Sequence, residues 1–141
     1  METELFTNRI EIEVTSNKVF NLLANLKNIL QWDREVIQVD ELQNNEFMIM
    51  RGHGALNNKE LVTVEISNQQ VIYKSTTGKI AYTIVWSMRD VGTSRTQLSQ
   101  TLQLNETNAW VPLAKLISPM MKSAFLQNLR VIKAVSEFEH V

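Results

Sequence analysis

The stretch from Ala109 to Glu139 constrains this chain more than any other, because no other is long enough to cover a whole sheet. From Leu113 the apolar residues recur at Ile117, Met120, Ala124, Val131, Val135 and Phe138, with Met121, Phe125 and Ile132 flanking that line. This is the spacing of one buried helix face, at about 3.6 residues per turn. Lys115, Lys122, Lys133 and Glu137 fall on the other side. From Pro119 to Glu139 such a helix runs ~30 Å, about the diameter of a small domain, so it needs an equally long surface to bury its face against. Ser118-Pro119 punctuates the stretch: serine is a good helix cap and proline is tolerated at a helix start, yet proline removes a ladder hydrogen bond. The pair predicts a kink or two abutting helices near Ser118.

The rest of the chain supplies that surface. Residues 5–14 alternate, with Ile10, Ile12 and Val14 opposite Arg9, Glu11 and Glu13, the pattern of a half-buried strand. Thr15-Ser16 then caps a short helix carrying Val19, Phe20 and Leu23, and Asn25 caps a second short turn carrying Leu26, Ile29 and Leu30 that ends at Trp32. Val36–Leu42 and Glu46–Arg51 read as strands around the turn Gln43-Asn44-Asn45, and Gly52-His53-Gly54 interrupts the next element. Leu61–Ser67 and Val71–Thr76 follow, with Gly78 as the next turn. In the clearest strand Tyr82, Ile84, Trp86 and Met88 share a face, and its partner brings Leu98, Gln100, Leu102 and Leu104 into one phase before Asn105–Asn108 ends the sheet. A run of about seven strands followed by a long helix predicts an α+β arrangement, a curved antiparallel sheet wrapped on the C-terminal helix.

At 141 residues, without internal repeat or linker, the chain is expected to be a single domain, 1–141. It has no cysteine, which excludes disulfides, a thiolate nucleophile and Cys-based metal sites. Fourteen basic and 15 acidic residues leave a net charge of −1, which argues against a chain-wide attraction to nucleic acid or to an anionic membrane. Met-Glu-Thr-Glu is no signal peptide, and no apolar run approaches the ~20 residues of a membrane span, so a soluble, cytoplasmic protein without stable membrane insertion is expected.

The order of elements, with particular residues, resembles the START-like helix-grip (SRPBCC) superfamily, most closely its polyketide cyclase/dehydrase and lipid-transport branch. The resemblance spans nearly the whole chain. It is carried by the strand ending near Val14, then Ser16, Val19, Phe20 and Leu23, Trp32 before the second strand, the Gly92-Thr93 turn, and Leu129, Ile132, Lys133 and Glu137 on the last helix. It implies a seven-stranded sheet gripping the helix, two small helices after the first strand, and a largely apolar cavity between helix and sheet, with Trp32 near one end.

Tyr82, Ile84, Trp86 and Met88 on one strand face, and Met121 and Phe125 on the helix above it, are the candidate apolar wall for a small hydrophobic ligand, although each taken singly also suits an ordinary core. Polar residues in apolar phase are more telling, since an unpaired buried polar group costs roughly 1–3 kcal/mol. Tyr82, Gln100 and Asn128 qualify; they either satisfy backbone groups or water, or face a cavity whose ligand is uncharged and carries a hydroxyl or carbonyl. Catalytic machinery is not evident: Glu11, Glu13 and Glu65 are out of phase with their strands' apolar faces, and no paired acid is visible. Arg51 and His53 share a phase, but Met48 and Met50 compete with them for the inward face, and no orienting carboxylate is apparent. No metal and no cofactor is expected, there being two histidines and neither a phosphate-binding glycine loop nor a Gly-x-Ser-x-Gly elbow. Lys133 and Glu137 are expected to form a weak surface pair. Binding or transport of a small hydrophobic molecule fits best, with a cyclase/dehydrase-like enzyme acting on a cyclic substrate as the alternative and a filled, purely interacting protein third.

Overall fold

A computed structural model describes residues 2–43, 45–52, 57–77, 80–105 and 111–138. Strand β1 (Glu2–Ile12) leads into helix α1 (Ser16–Ala24), which buries Val19, Leu22 and Leu23, and then a 3-10 helix (Leu26–Gln31) that buries Leu26 and Ile29. The side chain of Asn25 caps the latter, accepting from the Lys27 N–H at 3.1 Å. Strands β2 (Val36–Gln43), β3 (Glu46–Arg51), β4 (Lys59–Ser67), β5 (Gln70–Ser75), β6 (Tyr82–Gly92) and β7 (Arg95–Asn105) follow, then helices α2 (Val111–Leu116) and α3 (Ser118–Phe138). His53 and Gly54, Gly78 and residues 106–108 lie outside the described residues.

All seven strands pair antiparallel in the order β1-β7-β6-β5-β4-β3-β2, so the first strand closes one edge against the last. This is the expected α+β arrangement, a curved sheet with one long helix on its inner face. The expected break in that helix falls at Ile117, one residue before Ser118. Pro119 cannot donate to the Lys115 carbonyl, and the Ile117 carbonyl instead accepts from Met120 and Met121 at 3.0 and 3.1 Å, starting a new helix. Helix α2 packs Val111 and Ala114 on Ile80 and Leu104. Among the described residues no helix is long and apolar enough to cross a membrane.

The apolar stripe of α3 is packed over its C-terminal half and left open over its N-terminal half. Leu129, Ile132 and Ser136 are its buried residues, with Phe125 and Met121 continuing the line half-buried, whereas Met120 and Phe138 are 74% and 80% exposed and Ala124 is exposed. Phe125, on the flank of the stripe, meets Phe6 of β1 edge-on, with ring centroids 5.3 Å apart. The grip is uneven, in that the C-terminal half is packed and the N-terminal half is not.

Lys133 and Glu137 are not merely a surface pair. Lys133 Nζ reaches Glu137 Oε2 at 2.6 Å and the Glu11 carbonyl at 3.0 Å, while Glu137 Oε2 accepts from the Glu13 N–H at 2.8 Å, so the pair clips α3 to β1. Partial burial raises the Glu137 carboxyl, but the bonds from Lys133 and the Glu13 N–H outweigh it and hold the group below its ordinary value. A lowered folded-state value means a stabilising contribution that is present above the unfolded value and lost as pH falls through the folded one. Glu137→Gln should therefore lower stability at pH 7 by at most ~1 kcal/mol, both groups being part-exposed and screened. In urea titrations the gap to wild type should close below the carboxylate range; a gap that persists in acid contradicts the clip.

Candidate functional site

The space under the loosely held half of α3 is a cavity of about 360 Å³, floored by the inner sheet face and roofed by Ile117, Met121 and Phe125. Its inner end is aromatic. Trp32 stacks on Tyr73 at 6.4 Å and meets Trp86 edge-on at 5.6 Å, and the Tyr73 hydroxyl donates to the Leu23 carbonyl at 2.6 Å, tying the rings to α1. Burial pushes the Tyr73 hydroxyl above its ordinary range, so it remains a donor.

Of the residues singled out in the sequence, Trp32, Tyr82, Ile84, Trp86, Gln100, Met121, Phe125 and Asn128 stand on this wall. Met88 does not. It is buried beyond Trp86 on β6 and borders a separate hollow together with Ser16, Asn17 and Phe20, because two residues along a strand move a side chain ~7 Å. Sharing a strand face was necessary but not sufficient for sharing the cavity.

Gln100 is 1% exposed and sits opposite Trp86 in the β6–β7 register. Its Oε1 accepts from Asn8 Nδ2 at 3.2 Å, and the same Nδ2 donates to the Lys122 carbonyl of α3 at 3.0 Å. Gln100 Nε2 makes no hydrogen bond among the described residues, and neither does the half-buried Asn128 side chain. The Nε1 atoms of Trp32 and Trp86 are also buried and unpartnered among those residues. The cavity wall thus carries neutral hydrogen-bonding capacity that the described residues do not use.

The other end is ionic, where the sequence showed no paired acid. In β3 the inward face is Phe47, Ile49 and then Arg51, while Met48 and Met50 are half-buried; this settles the competition on that strand for Arg51, and His53 lies outside the described residues. Arg51 Nε donates to Glu60 Oε1 at 2.9 Å and its Nη1 to Asp33 Oδ2 at 2.8 Å, with Glu35 Oε1 3.8 Å away. Glu60, 0% exposed, also accepts from Tyr82 Oη at 2.7 Å, Asn57 Nδ2 at 3.0 Å and Ser75 Oγ at 2.9 Å. Four donors on two oxygens use up a carboxylate's directions. Burial lowers the Arg51 guanidinium, but Tyr82, Glu60 and Asp33 outweigh it and hold its value up, and burial together with Glu60 pushes the Tyr82 hydroxyl up. Tyr82 therefore keeps its proton and spends it on Glu60. Among the described residues no group of three potential metal ligands assembles.

The cluster was readable by carrying alternation one step further. Glu60 is in phase with Val62 and Val64, Ser75 with Val71 and Tyr73, and Arg51 with Phe47 and Ile49. Starting β4 at Leu61 instead of Lys59 hides the glutamate.

Sheet order, helix placement and an interior cavity together define the START-like helix-grip fold. Solved structures agree. An aromatase/cyclase, Zhui, from a Streptomyces species superposes with a TM-score of 0.77 at 11% identity, covering 97% of this chain and 94% of that one. A norcoclaurine synthase point mutant from Thalictrum flavum, in complex with a transition-state analogue, gives 0.72 at 6% identity over 100% and 98%. A START superfamily protein from Mycobacterium smegmatis gives 0.70 at 11% over 90% and 94%. No family model and no curated protein matches the sequence. At these identities the likeness is one of fold.

Breaking a buried, fully bonded ion pair by removing one member typically costs ~3–5 kcal/mol. Glu60→Ala, which takes a bond from each of Arg51, Tyr82, Asn57 and Ser75, should cost ~3 kcal/mol or more in chemical denaturation. A loss under ~1 kcal/mol would mean that the four bonds do not act as one unit.

Proposed function

We propose that this chain, acting as one domain over residues 1–141, binds or carries a small hydrophobic, uncharged molecule in the cavity between sheet and helix, in the cytoplasm. The observation that supports this is the pairing of an apolar-walled cavity of about 360 Å³ with neutral amides on its wall, Gln100 through its Nε2 and Asn128, that have hydrogen-bonding capacity left among the described residues. Burying apolar ligand surface contributes ~25 cal/mol per Å², so ~200 Å² of it contributes ~5 kcal/mol, whereas one hydrogen bond adds net ~1 kcal/mol. Trp32, Ile84, Trp86, Met121 and Phe125 supply affinity in this reading, Gln100 and Asn128 orient the ligand, and Tyr82 lines the wall with its hydroxyl held on Glu60.

An enzyme acting on a cyclic substrate is the second reading, favoured by Arg51 and Tyr82 on the cavity wall and by the likeness to an aromatase/cyclase. The chemistry weighs against it: Glu60 has no free lone pair for a base and Tyr82 has no free proton for an acid.

The ligand is to be identified by mass spectrometry of what natively purified protein releases on denaturation. Gln100→Leu and Asn128→Leu should each weaken its binding about fivefold, the equivalent of ~1 kcal/mol, and leave an analogue lacking the polar group unaffected. Equal losses for both compounds would assign the two amides to packing. Saturable turnover abolished by Tyr82→Phe would replace the carrier reading with the enzymatic one.

A further inference from the structure

Resting on that reading of the cavity, we propose that Asn8 is a positioning residue that locks Gln100 to present its NH₂ to the ligand. The molecule bound therefore offers an acceptor-only oxygen, of carbonyl type, opposite Trp86. The argument is one of hydrogen-bond polarity. A backbone carbonyl can only accept, so the Lys122 carbonyl obliges Asn8 to turn its Nδ2 toward α3. That nitrogen carries two hydrogens, and the second reaches Gln100 at 3.2 Å. Facing a donor, Gln100 must answer with Oε1, which leaves Nε2 as the atom without a partner among the described residues. The lock is rigid because Asn8 and Gln100 are directly paired in the β1–β7 register and are 4% and 1% exposed.

On the same wall Nε1 of Trp32 and Nε1 of Trp86, buried and unpartnered among the described residues, are donors as well, indole nitrogen having no acceptor capacity. Asn128 is not locked and can turn to present either group. A ligand with a carbonyl oxygen satisfies Gln100. One whose polar group only donates sets N–H against N–H there, and a ligand without a polar group leaves a buried donor unsatisfied. The Lys122 carbonyl belongs to α3, so this polarity is also tied to the helix that roofs the cavity.

The test is to invert the lock. In Asn8→Asp the introduced carboxyl, if ionised, accepts only; if protonated, the hydroxyl standing in the place of Nδ2 spends its one hydrogen on the Lys122 carbonyl and turns a lone pair to Gln100. In both states Gln100 must turn over and donate, so that Oε1 faces the cavity. The probes are a matched bicyclic trio measured by calorimetry: 1-indanone (acceptor only), indole (donor only) and indane, which has neither and corrects for changes of cavity shape. Wild-type protein should favour indanone, and the indanone-to-indole affinity ratio should fall by at least about tenfold in Asn8→Asp, one bond lost on one probe and one gained on the other. Gln100→Met, which removes the donor without touching Asn8, should lower the same ratio by about fivefold and serves if the Asn8 variant does not fold. Binding of all three probes with a ratio that neither variant moves overturns this inference alone. Binding of none by the wild type overturns the carrier reading with it.

Discussion

The structure depends on a mismatch: one helix must fill the trough of a seven-stranded sheet, and it fills only half. From Leu129 to Ser136 α3 lies fully against the strands and is clipped to β1 by Lys133 and Glu137. From Ser118 to Asn128 it spans the trough as a roof, joined to β1 chiefly through the edge-on contact of Phe6 with Phe125 and the bond from Asn8 to the Lys122 carbonyl. The break at Ile117, made by Pro119, lets α2 pack separately on Ile80 and Leu104. A cavity is the result of anchoring the helix at one end and breaking it at the other.

The two ends of that cavity use polarity differently. Arg51, Asp33 and Glu60 have heavy internal commitments, and that end carries two buried carboxylates against one guanidinium. A ligand carboxylate placed there would add a third negative charge in a poorly solvated site, an unfavourable exchange at effective dielectric constants of about 20. Near Gln100 the groups are neutral and partly unspent. Rigidity and recognition are thus separated along the length of the sheet, with Tyr82 belonging to the rigid end although it stands in the same strand phase as Trp86.

Much of this was legible in the chain, and what was not has physical reasons. Alternation located all seven strands and drew attention to Gln100, because a side chain's phase follows from the strand's period of two. The same logic covers Asn8, in phase with Phe6, Ile10 and Ile12 inside the strand read over residues 5–14 but not singled out there, and Glu60, in phase with Val62 and lost where β4 was begun at Leu61. The facing of α3 was less accessible. Met120 and Ala124 fit the apolar stripe and line the cavity, yet are exposed, because among the described residues no side chains pack against the helix there. Asp33 gives no periodic signal, being held by an Asx-type turn to the Glu35 N–H and by an arginine 18 residues away. Met88 shows the limit from the other direction: phase fixes a face, while depth along the strand fixes the compartment.

The central claim is that the half-gripped helix roofs a real apolar cavity, and xenon-pressurised crystals test it directly, because dry apolar cavities take up xenon. Xenon density between Trp86, Ile84 and Phe125, with α3 unmoved, is the result this account predicts. Phe125 and Met121 collapsed onto the sheet, with no xenon beneath them, would contradict it.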